Sequence, residues 1–259
     1  MFINSLNLNS KLKMDTNLNY SPNFDTKKRK PKEIKFIIFH YTGMRNEITS
    51  INLLTSQKSK VSCHYFIKTN GEILSLVPDL YIAWHAGISS WKKYKSINKY
   101  SLGIEISNPG HDHKYKNFSK KQINSVLKLT KFLIKKYKIR PNFILGHSDI
   151  APERKKDPGE KFPWQFLSKK KIGTWHNLNL KKLFKERNKK VSESDKNIFI
   201  QNLYKIGYPK KYNKNNNKYS KMITLSFQRK FRQALINGII DQECLKISKN
   251  LLNNRDNTA

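Results

Sequence analysis

The stretch Phe143–Trp164, FILGHSDIAPERKKDPGEKFPW, opens as a short apolar strand, Phe143 to Leu145, and breaks at Gly146. A polar loop follows, carrying His147, Lys155, Lys156 and Asp157 and stiffened by Pro152, Pro158 and Pro163. A histidine where the strand ends, and an aspartate about ten residues later on a restrained loop, have the character of two metal ligands.

A second strand of this kind lies upstream. Ile34–Phe39, IKFIIF, is a near-continuous β-branched and aromatic run, the pattern of a strand buried on both faces, and it ends in His40 and Tyr41. The end of a buried central strand is where open α/β sheets place their sites. Residues 47–57 read as a short helix. Cys63–Lys68 and Ile73–Val77 flank Asn70-Gly71, a hairpin with a type I′ turn. Ser101–Ser107, SLGIEIS, is a further strand with Glu105 in its middle. Residues 119–138 make the best-signalled helix: Ser119-x-x-Gln122 is a capping box, Phe118 and Ile123 a hydrophobic staple, and Val126, Leu133 and Tyr137 lie on an apolar stripe. This alternation predicts an α/β fold, a mixed β-sheet flanked by helices.

The flanks differ in composition. Residues 1–20 read as a flexible N-terminal arm, 21–175 as the α/β domain, 176–195 as a linker, and 196–252 as a small C-terminal three-helix bundle followed by a tail, 253–259. In the bundle Phe199 and Leu203 mark one helix, a polar insert covers 210–221, Phe227 and Phe231 mark a second helix, and Asp241 caps a third.

Of the 259 residues 37% are hydrophobic, enough for a core, and 52 Lys+Arg against 18 Asp+Glu leave a formal charge of +34. Lysine is spread along the whole chain, so compositional bias and an anionic partner (nucleic acid, membrane or acidic wall polymer) both account for the charge. No nucleic-acid motif accompanies it, and no specific nucleic-acid partner is expected. No apolar run approaches the roughly 18 residues of a transmembrane segment. Cys63 and Cys244 stand far apart, which argues against a disulfide framework. The N-terminus has no apolar core of a signal peptide, so a cytoplasmic location is expected, with the cell envelope or periplasm as the alternative.

Two imidazoles and one carboxylate, His40, His147 and Asp157, suit a catalytic metal that stays electrophilic and lowers the pKa of a water. Glu105, with its pKa raised by burial, suits the base. Lys155, two residues before Asp157 on an extended loop, suits the stabiliser of a developing oxyanion. Plainer roles compete. A histidine is more often a hydrogen-bonded structural residue, Lys155 can be solvated, and Trp84, Trp91 and Trp164 can be core aromatics. His64 can pack in the hairpin, and His111, His113 and His176 are expected to be exposed. Spacing alone leaves the reaction open.

Five ordered segments narrow it: Phe39–Met44 (FHYTGM), Val61–Ile73 (VSCHYFIKTNGEI), Ala83–Gly87 (AWHAG), Ser101–His111 (SLGIEISNPGH) and Leu145–Trp164 (LGHSDIAPERKKDPGEKFPW). Together they closely resemble the zinc-dependent N-acetylmuramoyl-L-alanine amidases of the amidase-2 (AmpD/AmiD-like) family over about residues 20–175, and Ser21–Phe24 fits the AmiD-like branch. The resemblance implies the peptidoglycan-recognition/amidase fold and hydrolysis of the amide between N-acetylmuramic acid and L-alanine in peptidoglycan or muropeptides. It implies Zn2+ on His40, His147 and Asp157, catalysis by Glu105 and Lys155, and substrate contacts from Tyr41, His64, Trp84, His85 and Asn108. Leu225–Ile247, LSFQRKFRQALINGIIDQECLKI, resembles a three-helix peptidoglycan-binding domain. A non-catalytic peptidoglycan-recognition protein is the alternative function, and a monomer the expected state.

Overall fold

In the computed structural model, which describes residues 16–211 and 216–256, the apolar runs become the middle of a six-stranded sheet. In chain order the strands are β1 (Asn17–Leu18), β2 (Phe24–Asp25), β3 (Phe36–Tyr41), β4 (Tyr65–Ile67), β5 (Ile73–Ser75), β6 (Ile82–Ala83), β7 (Ser90–Trp91), β8 (Tyr94–Lys95), β9 (Ser101–Ile106) and β10 (Ile144–Gly146). The sheet runs β1-β5-β4-β9-β3-β10, while β2 with β6 and β7 with β8 form antiparallel ribbons. All pairs of the sheet are parallel except β4 with β5, so it is mixed, as expected.

Side chains alternate along a strand, and β3 serves two cores. Ile37 and Phe39 join Ile104, Ile106, Val126, Leu129 and Leu133 in one buried cluster. The last three belong to α2 (Lys120–Tyr137), which follows α1 (Glu47–Thr55). The capping box of α2 forms as predicted, with Gln122 N donating to Ser119 Oγ at 3.1 Å and Ser119 N to Gln122 Oε1 at 2.9 Å.

Phe36 and Ile38 face the other way. Beyond the short helices α3 (His147–Ile150), α4 (Trp164–Lys169) and α5 (Leu180–Phe184) come α6 (Glu193–Ile206), α7 (Asn216–Phe231) and α8 (Gln242–Asp256). These last three supply Phe199, Leu203, Phe227 and Leu245 to one cluster with Phe36, Ile38 and Leu145. The three-helix unit therefore packs on the sheet's second face.

Local chemistry alters several details. The hairpin loop spans three residues, 69–71, with only Gly71 at positive φ (+88°), because Lys68 N bonds Glu72 O and Gly71 N bonds Lys68 O. That is the three-residue bulged hairpin in place of the type I′ turn. The expected arm lies outside the described residues up to residue 15, but Asn17–Leu18 pairs with β5. The polar insert becomes helix from Asn216 onward, with residues 212–215 outside the described residues. The tail is helical to Asp256, and 257–259 lie outside. The segment read as a linker is packed: Leu183 is buried and Arg187 forks onto Glu243 at 2.7 and 2.8 Å. His176, expected at the surface, is only 6% exposed: its ring stacks on Trp175, and the next residue ties the segment to α8, Asn177 N donating to Asn250 Oδ1 at 3.1 Å. Among the described residues no helix is long and apolar enough to cross a membrane.

Candidate active site

Gly146 of β10 stands beside Phe39 of β3, so the next residues of the two parallel strands, His147 and His40, arrive side by side. β3 and β9 pair His40 with Glu105, which puts both side chains on the same sheet face. The loop after α3 then returns Asp157, whose carbonyl accepts from Ser148 N at 2.9 Å; the Asp157–Pro158 peptide is cis. A Cβ at position 146 would lie 2.6 Å from Pro158 Cδ, so only glycine lets this return pass.

His40 Nδ1, His147 Nδ1 and Asp157 Oδ2 converge, each 3.0 Å from the other two. The surrounding hydrogen bonds decide where the protons sit. Ser101 donates its hydroxyl to Ile97 O at 2.8 Å, so its oxygen accepts from His85 Nε2 at 3.0 Å. His85 Nδ1 is then an acceptor and takes the proton of His40 Nε2 at 3.0 Å. His147 Nε2 donates to Ala86 O at 3.1 Å. Both histidines therefore present a bare Nδ1 to a carboxylate oxygen. Three acceptors facing one another at such range repel unless a cation lies among them. Their spacing is close to the roughly 3.3 Å that separates two ligands each about 2.0–2.1 Å from a tetrahedral zinc. Among the described residues this is the one buried cluster of histidine, cysteine or acidic residues able to hold a metal. Hydrogen-bonded outer partners of this kind fix a ligand's tautomer and orientation.

Electrostatics follow burial. Burial and the neighbouring His147 push His40 down to about 4. Burial alone would raise Asp157, but His147 and His40 hold it far below the usual carboxylate range. Glu105 goes the other way: burial, then the charge of Asp157, raise it well above an ordinary glutamate, against the opposing pull of Lys155. Its Oε2 is buried and has no hydrogen-bond partner among the described residues.

These groups open into a cleft of about 370 Å3, with Tyr41, Trp84 and Lys155 on its walls and Leu53, Leu54 and Val61 forming an apolar side. Ser21-Pro22-Asn23-Phe24 holds that apolar side in place. Ser21 Oγ donates to Leu54 O, and Asn23 Nδ2 to both Ser56 O and Val61 O at 2.8 Å.

The expected substrate contacts divide. Tyr41 lines the cleft with its hydroxyl 2.9 Å from His111 Nδ1, and Trp84 lines it while donating Nε1 to Asp25 Oδ1 at 2.7 Å. His85 reaches the cleft but is chiefly the partner of His40. His64 and Asn108 do not line it. His64 is fully buried, accepts from Gly103 N at Nδ1 and lies against Arg29 and Tyr81 O. Asn108 is buried too, bonding Lys116 O and Gly110 N across its own loop. Both are committed to backbone groups that would otherwise be unpaired.

Sequence reasoning missed the supporting residues. Asn98 Oδ1 accepts the amides of His85 and Ala86 at 3.2 and 2.7 Å, and Arg154 donates to Ala86 O and Ile88 O. Gly103 is flat against His85, where a Cβ would meet the imidazole Cγ at 2.4 Å. A lone glycine inside the β-branched run SLGIEI was the available signal for that close approach.

Residues 30–160 match the family model Amidase_2, described as N-acetylmuramoyl-L-alanine amidase. The chain is 34% identical over 231 residues to the N-acetylmuramoyl-L-alanine amidase AmiD of Escherichia coli, covering 85% of this chain and 82% of that protein. It is 31% identical over 163 residues to the 1,6-anhydro-N-acetylmuramyl-L-alanine amidase AmpD of Haemophilus influenzae, covering 56% of this chain and 86% of the relative. Among solved structures, E. coli AmiD in complex with the substrate anhydro-N-acetylmuramic acid-L-Ala-D-gamma-Glu-L-Lys superposes with a TM-score of 0.77 at 33% identity, over 86% of this chain and 90% of that one. AmpDh3 from Pseudomonas aeruginosa in complex with anhydromuramic pentapeptide gives 0.76 at 27% identity, over 90% and 97%.

Proposed function

The chain belongs to the N-acetylmuramoyl-L-alanine amidase family, and on that premise we propose that it hydrolyses the muramyl–L-alanine amide of peptidoglycan or muropeptides at a zinc ion held by His40, His147 and Asp157. The observation that carries the reading is the triangle of three bare acceptors beside an unpaired, buried carboxylate oxygen of Glu105.

A zinc ion in that triangle would polarise the lactyl carbonyl and bring the pKa of a water towards about 7. Glu105 accepts a proton from the attacking water as its oxygen bonds to the carbonyl carbon. The ammonium of Lys155, on the cleft wall, donates a hydrogen bond to the oxygen that gains charge. Glu105 then delivers its proton to the alanine nitrogen as the C–N bond breaks. One water is consumed, and the products are a free lactyl carboxylate and the amino terminus of the stem peptide. The apolar side and Trp84 exclude water and seat the substrate, with Tyr41 at the rim.

Mass spectrometry after incubation of the zinc-loaded protein with soluble anhydro-muropeptides and with intact sacculi tests this reading. Release of stem peptides beginning with L-alanine supports it, and the faster substrate identifies the working pool, recycled fragments or wall polymer. Binding to either substrate without new amino termini would overturn it in favour of a non-catalytic recognition protein.

A further inference from the structure

At the rim of the cleft, three polar side chains from separate parts of the chain form a continuous run of hydrogen bonds. The Tyr41 hydroxyl lies 2.9 Å from His111 Nδ1, and His111 Nε2 lies 3.0 Å from Glu160 Oε2. Tyr41 ends β3, His111 opens the short turn that follows β9, and Glu160 comes just after the returning Asp157. Neither His111 nor Glu160 takes part in the chemistry described above, and His111, expected at the surface, is partly buried.

Packing from several sides fixes where the imidazole sits. The His111 ring stacks on Tyr115 (ring centroids 4.5 Å apart, 27° between planes), and Tyr115 donates its hydroxyl to Pro158 O at 2.6 Å. Two glycines at positive φ admit these contacts. A Cβ on Gly110 would stand 2.5 Å from the Tyr41 ring, and one on Gly159 would stand 2.9 Å from His111 Cε1.

The carboxylate then decides where the protons go. Burial alone would raise the Glu160 carboxyl, but the bond from His111, a backbone N–H and the charge of Arg229 on α7 hold it below the ordinary glutamate range. Glu160 is therefore ionised and only accepts, so His111 carries a proton on Nε2, and in the neutral ring Nδ1 accepts from Tyr41. The same order of bonds, hydroxyl to imidazole to carboxylate, fixes the imidazole tautomer in hydrolase triads. Here the hydroxyl belongs to a tyrosine that lines the cleft. A substrate hydroxyl both donates and accepts, so it suits either orientation of the phenol proton, whereas an amide N–H can only donate. We propose that His111, oriented by Glu160, is a positioning residue: it holds the proton of Tyr41 so that the phenol oxygen accepts a hydrogen bond from an amide N–H of the substrate. The inference rests on the proposed function for the identity of that donor.

Steady-state kinetics of the zinc-loaded protein on a soluble muramyl tripeptide, at about pH 8.5 where imidazoles carry a single proton, tests it through a double-mutant cycle. Tyr41→Phe removes the acceptor and should raise KM about 3–10-fold, the scale of one hydrogen bond. His111→Leu and Glu160→Leu should raise KM in the same way, because each frees the phenol proton to turn into the cleft. The loss should fall on KM rather than kcat, as for an interaction kept from ground state to transition state. Combining either variant with Tyr41→Phe should add nothing, since both act through that hydroxyl. His111→Asn, whose side-chain oxygen can stand where Nδ1 stood, should bring KM back near the wild-type value. Penalties that add in the double variants, as loss of loop packing would give, or a KM unmoved by His111→Leu, would overturn the inference. A wild type that cleaves nothing removes the amidase reading instead, and the same cycle read by calorimetric titration of the tripeptide still decides the role of His111.

Discussion

Lys230 of α7 places its ammonium 2.9 Å from Asp149 Oδ2, in the turn that begins with His147, and both side chains are almost wholly buried. Asp149 also accepts from Gly146 N and from Tyr208 OH, each at 2.9 Å, while Ser226 Oγ donates to Ser148 O at 2.7 Å. The helical unit thus grips the turn from which His147 projects. Lys230→Ala would leave a buried carboxylate without its cation and should cost about 3–5 kcal/mol. Tyr208→Phe removes one hydrogen bond and should cost about 1.5–3 kcal/mol, the range for bonds to charged groups. Urea unfolding followed by circular dichroism measures both, and the order Lys230→Ala above Tyr208→Phe is the expected result.

Gly103→Ala should weaken metal binding without touching a ligand. The added methyl would overlap the His85 ring, which orients His40 through its Nε2. Loss of an outer partner typically lowers metal affinity about 10–100-fold. Competition with a chromophoric zinc chelator reads that change directly, and unchanged affinity would show that His40 holds its orientation without His85.

Glu105→Gln keeps the shape of the side chain but removes the base. Zinc content should match the wild type, while amide hydrolysis should fall about 10²–10⁴-fold. Lys155→Ala should lower kcat about 10²–10³-fold, as loss of an oxyanion donor does. Steady-state kinetics on a purified muropeptide, paired with metal analysis of the same samples, checks both.

Acid should erase the contribution of Asp79. Its carboxylate accepts from Tyr65 OH and Tyr137 OH at 2.6 Å and from Lys136 Nζ at 2.8 Å. Burial alone would raise its pKa, but these bonds hold it below an ordinary aspartate. A folded pKa below the unfolded value, about 3.9, means stabilisation is complete above that pH and fades as pH falls through the folded value. Asp79→Asn should therefore destabilise the protein at pH 7 and differ less from wild type near pH 3. Denaturant midpoints at the two pH values give the comparison, and a gap that grows on acidification would contradict it.

What was legible in the chain was what repeats locally. The capping box at Ser119, the buried runs of β3 and β9, and histidines placed at strand ends all announce themselves within a few residues. The convergence of His40, His147 and Asp157 was legible too, because ligand chemistry restricts the residue types. Partnerships across distance were not. Nothing near Lys230 in sequence signals Asp149, and nothing near Asn177 signals Asn250 of α8, the bond that ties down the segment holding the buried His176. His64 and Asn108 have the same residue types as cleft contacts, yet unpaired backbone groups nearby claim their polar atoms.

β10 is only three residues long, with Asn142 shortly before it and His147 directly after. A strand rises roughly 3.3 Å per residue, so β10 works as a spacer of about 10 Å between the turn that bears His147 and the junction beyond Asn142. One residue inserted into β10 would carry His147 out of register with His40 and break the triangle without changing a ligand.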